Sequence, residues 1–175
     1  MIVLQTPRLN LRKMNLDDAS FVKQLLNSEK WVKYIGDFGV RSMDDARRYL
    51  NQRVLPKYEA LGFGFYLIQR KHDGVKMGNC GLTYRDGLEH ADIGFSLLQE
   101  YEGQGYALEA ATAVLDYGFA VHKLTYIEAI VAPGNKRSQH LLIKLGMEFK
   151  RMIFLPDDKE ELLLFGKAAP METEG

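Results

Sequence analysis

The segment Gln99-Glu100-Tyr101-Glu102-Gly103-Gln104-Gly105-Tyr106-Ala107-Leu108-Glu109-Ala110 sets two glycines where a strand-like run gives way to a helix-like run. Glycine leaves its amide uncovered, and amides in the first turn of a helix lack intrahelical partners at the positive end of the macrodipole. A phosphate or pyrophosphate is the complement of such a corner. A dinucleotide fingerprint needs Gly or Ala where Leu108 stands, and a nucleoside-triphosphate loop needs a Gly-Lys-Ser/Thr run that is missing. Other residues of catalytic type lie on either side. Glu89, His90 and Asp92 precede the corner, although a carboxylate alternating with Ile93 has the habit of a solvated strand residue. Asn135 and Ser138 follow it, with the types and spacing of a helix start. Cys80 has no basic neighbour to activate it, and His122 and His140 lack the partners of a triad or metal site, so these three read as structural.

Positioning these groups requires a sheet and several helices. Arg8 to Arg12 alternates polar and apolar residues and reads as the first strand. Asn15 with Asp18, and Ser42 with Asp45, have capping spacing, each ahead of an apolar helical face; the first runs to Leu26 and the second continues until Pro56 kinks or ends it. The segment from Trp31 to Gly39, with Tyr34 and Phe38, lacks a helical period and reads as an aromatic loop. Strands are expected over 63–70, 75–84 and 91–97, forming an antiparallel meander with turns at His72-Asp73-Gly74 and Arg85-Asp86-Gly87. Ala107, Ala111, Val114, Leu115 and Gly118 form a helical stripe with small residues for close approach to a sheet. A buried strand at 125–131, a helix opened by Asn135 and stopped by Gly146, and strands at 148–154 and 161–165 complete the pattern.

Bulk properties restrict the function. The 175 residues, 46% hydrophobic, suffice for one substantial core, expected over 1–167, with 168–175 read as a disordered polar tail. Equal numbers of acidic and basic residues, 23 each, give no global field to recruit nucleic acid or an anionic membrane. The single cysteine excludes an intramolecular disulfide, and no Cys/His cluster has zinc spacing, so no metal is expected. With neither a leader-like start nor an apolar run of membrane-spanning length, a cytoplasmic protein is the expectation.

Five short matches occur in one order: Thr6-Pro7-Arg8-Leu9, Ala91-Asp92-Ile93-Gly94-Phe95, Gly103-Gln104-Gly105-Tyr106-Ala107, Asn135-Lys136-Arg137-Ser138 and Lys144-Leu145-Gly146-Met147. Together they resemble the GCN5-related N-acetyltransferases, in particular the RimJ/RimL branch typified by ribosomal-protein N-terminal acetylation. The likeness runs from Thr6 to about Phe165, with Glu102 departing from the Gln/Arg that opens the family's pyrophosphate loop. It implies an α/β (α+β) single-domain fold, a strongly twisted mixed sheet of six to seven strands flanked by about four helices.

The resemblance also implies roles. Phe95, Ser96 and Leu97 would meet the pantetheine arm of acetyl-CoA on a strand that splays from its neighbour, with Gly94 easing the distortion. Glu102, Gly103, Gln104, Gly105, Tyr106 and Ala107 would hold the pyrophosphate and Asn135 would meet the pantetheine arm, while charge matching alone sets Arg137 or Lys144 near the adenosine phosphate. An amine attacking a thioester must be neutral, the carbonyl oxygen needs a donor, and the departing thiolate needs a proton. Asp92 is the expected base with Glu89 and His90 as rivals, Ser138 the acid or positioner for sulfur, and an amide of Phe95 or Ser96 the carbonyl donor. Trp31, Tyr34, Phe38 and Glu89 are candidates for the acceptor site.

The expected activity is direct acetyl transfer from acetyl-CoA to a primary amine in a ternary complex, without metal. The acceptor is a protein N-terminus or a small molecule, and homodimer formation is left open. A non-catalytic acyl-CoA-binding module of the same fold is the alternative. Asp37, Asp86 and Glu89, if near the mouth, would favour a cationic acceptor.

Overall fold

The computed structural model describes residues 1–172. Eight strands form one sheet: β1 (Ile2–Gln5), β2 (Leu9–Arg12), β3 (Phe65–Arg70), β4 (Lys76–Thr83), β5 (Asp92–Leu97), β6 (Tyr126–Val131), β7 (Glu148–Ile153) and β8 (Leu162–Ala168), in spatial order β1-β2-β3-β4-β5-β6-β8-β7. Every neighbouring pair is antiparallel except β5 and β6. The α/β mixed-sheet architecture is the one expected, with one strand more. That extra strand is β1, whose Leu4↔Leu11 register extends the sheet beyond the run read as first.

Six helices flank the sheet: α1 (Ala19–Leu26), α2 (Glu29–Tyr34), α3 (Met43–Tyr49), α4 (Leu55–Leu61), α5 (Tyr106–Ala120) and α6 (Lys136–Lys144). Both anticipated capping boxes form. Asn15 and Asp18 exchange bonds ahead of a 3-10 turn that leads into α1, and Ser42 and Asp45 do so at α3. Two readings need correction. The aromatic segment is not wholly a loop, since Trp31 and Tyr34 stand on α2; with only Trp31 buried among its six residues, that helix shows no apolar period. Nor does Pro56 end the helical run. A π-helical stretch, Leu50–Val54, carries the chain into α4, where Pro56 occupies the first turn and needs no amide.

Helix α5 positions the site. Its small residues let it lie close on the sheet: a Cβ on Gly118 would stand 2.9 Å from the Leu82 and Ile127 side chains. Ala110, Ala111, Val114 and Leu115 complete the buried face. Strand alternation puts Leu82 and Ile93 toward α5 and their neighbours Thr83 and Asp92 toward the opposite face. That face meets α4, whose Lys57 Nζ donates to Thr83 Oγ1 at 3.0 Å. The expected polar tail begins later than predicted, since β8 runs through Ala168, and its last residues, 173–175, lie outside the described residues. Among the described residues no helix is long and apolar enough to cross a membrane.

Candidate active site

The site begins with a gap in the sheet. β4 pairs with β5 from Thr83↔Asp92 to Gly78↔Leu97, whereas β6 registers with β5 only at Asp92↔Glu128. The parallel strands part beyond Asp92, leaving the β5 edge from Ile93 to Leu97 facing a cleft. Gly94 does not ease this splay, because its register opposite Gly81 is regular. Its role is space, since a Cβ there would stand 2.9 Å from the Phe65 ring.

A cavity of about 590 Å³ fills the cleft, with Phe95, Ser96 and Leu97 on one side. The loop before α5 forms its floor through Glu102, Gly103, Gly105, Tyr106 and Ala107; Asn135, Ser138, Arg137 and Lys144 stand along α6. Trp31 and Tyr34 of α2 close the outer side, and Tyr34 Oη donates to the Gly134 carbonyl at 3.4 Å. Gln104 belongs to the loop but not to the cavity wall; its Nε2 donates to the Glu100 carbonyl.

Both loop glycines are left-handed, Gly103 at φ 75° and Gly105, the N-cap of α5, at φ 83°. A Cβ on Gly103 would find nothing nearer than Arg137 Nη1 at 4.0 Å, and one on Gly105 would meet Arg8 Nη2 at 3.3 Å. Backbone conformation, rather than lack of room, is what requires glycine there. Open amides at the start of a 15-residue helix suit a diphosphate in geometry and in field. Glu102, the departure from the family pattern, does not confront this site with a bare charge. Its Oε2 accepts from Lys30 Nζ and from Arg137 Nη1 at 3.1 Å.

The loop is braced from the far end of the sheet. Arg8 donates from Nη1 to the Gln104 carbonyl at 3.0 Å and from Nε to Glu109 Oε1 at 2.7 Å, and its guanidinium lies 4.3 Å from the Tyr106 ring centroid. Glu109 also accepts from Thr6 Oγ1 and from the Arg8 amide. Burial alone would raise the Glu109 carboxyl, but these donors hold it below its ordinary range. Thr6 and Arg8 were visible only as a motif of unassigned role, since their partner lies about a hundred residues away in the chain.

Asn135 accepts from the Ser138 amide at 3.3 Å while lining the cavity, so it caps α6 and faces the cleft together. Ser96 Oγ donates to buried Asn79 Oδ1 at 3.1 Å, which fixes the β5 edge. His140, expected to be structural, lines the outer wall. Trp31 Nε1 is buried with no hydrogen-bond partner among the described residues.

Asp92 stands where β5 and β6 part, only 1% exposed, and does not line the main cavity. Its Oδ2 is 3.3 Å from Arg85 Nε, and its Oδ1 has no hydrogen-bond partner among the described residues. Burial pushes its carboxyl up; Arg85 and Lys57 pull it back only in part, and Glu128 adds to the rise. The remaining candidates lie apart. Glu89 is in solvent, 86% exposed, outside the cavity wall. The His90 ring packs on Tyr126 while its amide donates to Glu128. Phe38 packs edge-on against Trp31, with centroids 5.6 Å apart, behind the cavity rather than in it. Burial raises the Cys80 thiol, consistent with an inert core residue. Among the described residues no group of three or more His, Cys, Asp or Glu could hold a metal ion.

Comparison with known proteins bears on the family of the chain. Residues 8–148 match the family model described as "Acetyltransferase (GNAT) domain". The N-acetyltransferase p20 of Bacillus licheniformis, itself uncharacterised, is 34% identical over 149 residues, covering 85% of this chain and 83% of that one. The spermidine N(1)-acetyltransferase of Escherichia coli K12 is 25% identical over 139 residues, covering 79% and 72%. Among solved structures, RimL, a ribosomal L7/L12 α-N-protein acetyltransferase in complex with coenzyme A, superposes with a TM-score of 0.80 at 16% identity, covering 96% of this chain and 98% of that one. The chain belongs to the GNAT family of acetyltransferases.

Proposed function

We propose that this acetyltransferase moves an acetyl group from acetyl-CoA directly to a primary amine, with both substrates bound together. The observation that carries the reading is the opening between β5 and β6 onto the amides of Gly103 and Gly105, a cradle whose backbone conformation suits glycine. The residues fit the cofactor: an open strand edge for the pantetheine amides, a helix start for the diphosphate, and Arg137 and Lys144 for the adenosine phosphate. When bound, acetyl-CoA supplies an activated acyl carbon and a sulfur leaving group.

The chain's own groups then have three tasks. Asp92 receives the proton of the amine, directly or through water. Its raised carboxyl affinity for a proton brings it nearer to that of an α-amine, about 7.7 to 8.0 in free solution, than an exposed aspartate would be. The amide of Phe95 or Ser96, on the unpaired β5 edge, polarises the thioester carbonyl. Ser138, in the first turn of α6 and on the cavity wall, positions the sulfur and returns a proton to it. Walls from α2 keep water from the acyl carbon.

Thiol release from acetyl-CoA, measured on the purified protein with a panel of amines and N-terminal peptides, tests this reading. Amine-dependent release that Asp92→Asn suppresses is the expected result. Tight acetyl-CoA binding without release on any amine would instead identify a binding module.

A further inference from the structure

The acceptor side of Asp92 carries more positive than negative charge. On the face opposite α5, Arg85 Nε lies 3.3 Å from Asp92 Oδ2, and Lys57 Nζ reaches Thr83, the residue registered directly across from Asp92. Arg53 lies over the Phe38 ring, with its guanidinium carbon 5.7 Å from the centroid. Among the described residues neither Lys57 nor Arg53 has a carboxylate within 4.0 Å. Lys57 is bonded to a neutral hydroxyl, and its ammonium is disfavoured first by burial and then by the charge of Arg85, with Asp92 opposing them only in part. Tyr49, whose ring centroid is 6.0 Å from that of Phe38, feels the fields of both Arg53 and Arg85. Trp31 of the cavity wall packs on Phe38, and Phe38 on Tyr49, so a chain of ring contacts links the cavity wall to this cluster.

This arrangement suits one kind of acceptor. The buried, unpartnered Asp92 Oδ1 takes a proton from nitrogen, and that transfer removes the cluster's nearest negative charge while Lys57 and Arg53 still lack counter-ions. A polyamine would bring further ammonium groups into a field of their own sign, whereas a carboxylate on the acceptor would satisfy both cations. Of the three acidic residues that favoured a cationic acceptor in the sequence, Asp37 is paired with Arg41, and Asp86 and Glu89 are exposed to solvent.

Resting on the acetyltransfer reading, we propose that the acceptor is a primary amine bearing a carboxylate within a few bonds of its nitrogen, held by Lys57 and Arg53 while Asp92 serves the amine. The nitrogen lone pair forms the N–C bond, and the C–S bond breaks with its electrons passing to sulfur. The proton that nitrogen loses to Asp92 balances the one that sulfur gains through Ser138. Free amino acids and protein N-termini with an acidic second residue share this chemistry.

The experiment compares matched amines in the thiol-release assay on the full chain: alanine and a Ser-Asp-initiated peptide amidated at its C-terminus, their carboxamide counterparts alaninamide and the same peptide with Ser-Asn at its start, and spermidine. The expected result is kcat/KM about tenfold or more higher for one carboxylate member than for its amide counterpart and for spermidine. Which member shows it separates a free amino acid from a peptide. Lys57→Met and Arg53→Gln should erase that ratio while leaving the acetyl-CoA Kd unchanged. Equal rates for carboxylate and amide, or spermidine as the best acceptor with a ratio insensitive to both substitutions, would overturn the proposal. If no amine releases thiol, the acetyltransfer reading fails separately, and calorimetry on CoA-loaded protein still reads the cluster. Carboxylate preference lost in Lys57→Met then supports it, and equal binding of acid and amide overturns it.

Discussion

Asp92 illustrates how a residue's neighbours decide its chemistry. Taken alone, a carboxylate beside Ile93 belongs in solvent, and only the resemblance marked it as a base. In the fold it is 1% exposed, with one oxygen bonded by Arg85 and the other unpartnered. Burial raises its proton affinity above that of an aspartate in the unfolded chain, so ionising it costs the folded state more. Asp92→Asn should therefore cut kcat by about 10²-fold or more with the acetyl-CoA Kd unchanged. The rise of rate with pH as Asp92 loses its proton should flatten in the variant. Above its folded value the buried charge is a penalty, so the melting temperature at neutral pH should not fall. A variant that loses stability and keeps its acid limb would remove Asp92 from the mechanism. Glu89 shows the converse: its proximity in sequence to Asp92 suggested a rival, yet the turn before β5 leaves it in water. Lys57, Arg53 and Arg85 were illegible as site residues because their convergence depends on α4 crossing the sheet, which no local spacing announces.

At the level of elements, the strand-to-helix corner with its two glycines was the most legible feature, and both glycines are left-handed in the fold. Its left-handed φ values now give the mechanism of any substitution: an L-residue there costs about 1–2 kcal/mol in backbone conformation. Gly105→Ala should weaken acetyl-CoA about tenfold by turning the amides away, with the methyl also pressing on Arg8 Nη2 at 3.3 Å. What the pattern could not reveal is the brace. Arg8 binds the Gln104 carbonyl, stacks on Tyr106 and pairs with Glu109, holding the loop from the turn that precedes β2. Partly exposed contacts of this kind are worth about 0.5–1 kcal/mol each. Arg8→Ala is accordingly expected to raise the acetyl-CoA Kd about three- to tenfold, with amide hydrogen exchange in 102–106 accelerated and the melting temperature little changed. Unaltered exchange there would make Arg8 a mere surface residue. The short helix α2 escaped sequence reading for a different reason. Six residues span less than two turns, and one buried side chain cannot display a period.

For the molecule as a whole, the sheet and the order of its elements followed from period-2 runs punctuated by Gly and Pro, while β1, a four-residue edge strand, was too short to stand out. The helical layer is tied to that sheet by a buried charge that sequence presented only as a helix cap. Asp18 is 1% exposed and accepts from Arg12 on β2 at 2.7 and 2.9 Å, from Lys76 on β4 at 2.7 Å and from the Asn15 amide at 2.9 Å. Burial alone would push its carboxyl up, but these donors outweigh burial and hold it at about 2. A folded value below the unfolded one, about 3.9, means that the ionised form stabilises the fold. That contribution, about 2–3 kcal/mol, is complete above pH 5 and is lost as pH falls through the unfolded value toward the folded one. Against a total of about 5–15 kcal/mol it is a large share. Chemical denaturation at pH 7 should show Asp18→Asn less stable by about 2 kcal/mol or more, because Arg12 and Lys76 then lose their buried counter-charge. Repeated between pH 5 and 2.5, the same titration should find the gap between wild type and variant narrowing, since protonation of Asp18 performs the substitution chemically. A gap that stays constant over that interval would show that Asp18 is not the acid-sensitive link between helices and sheet.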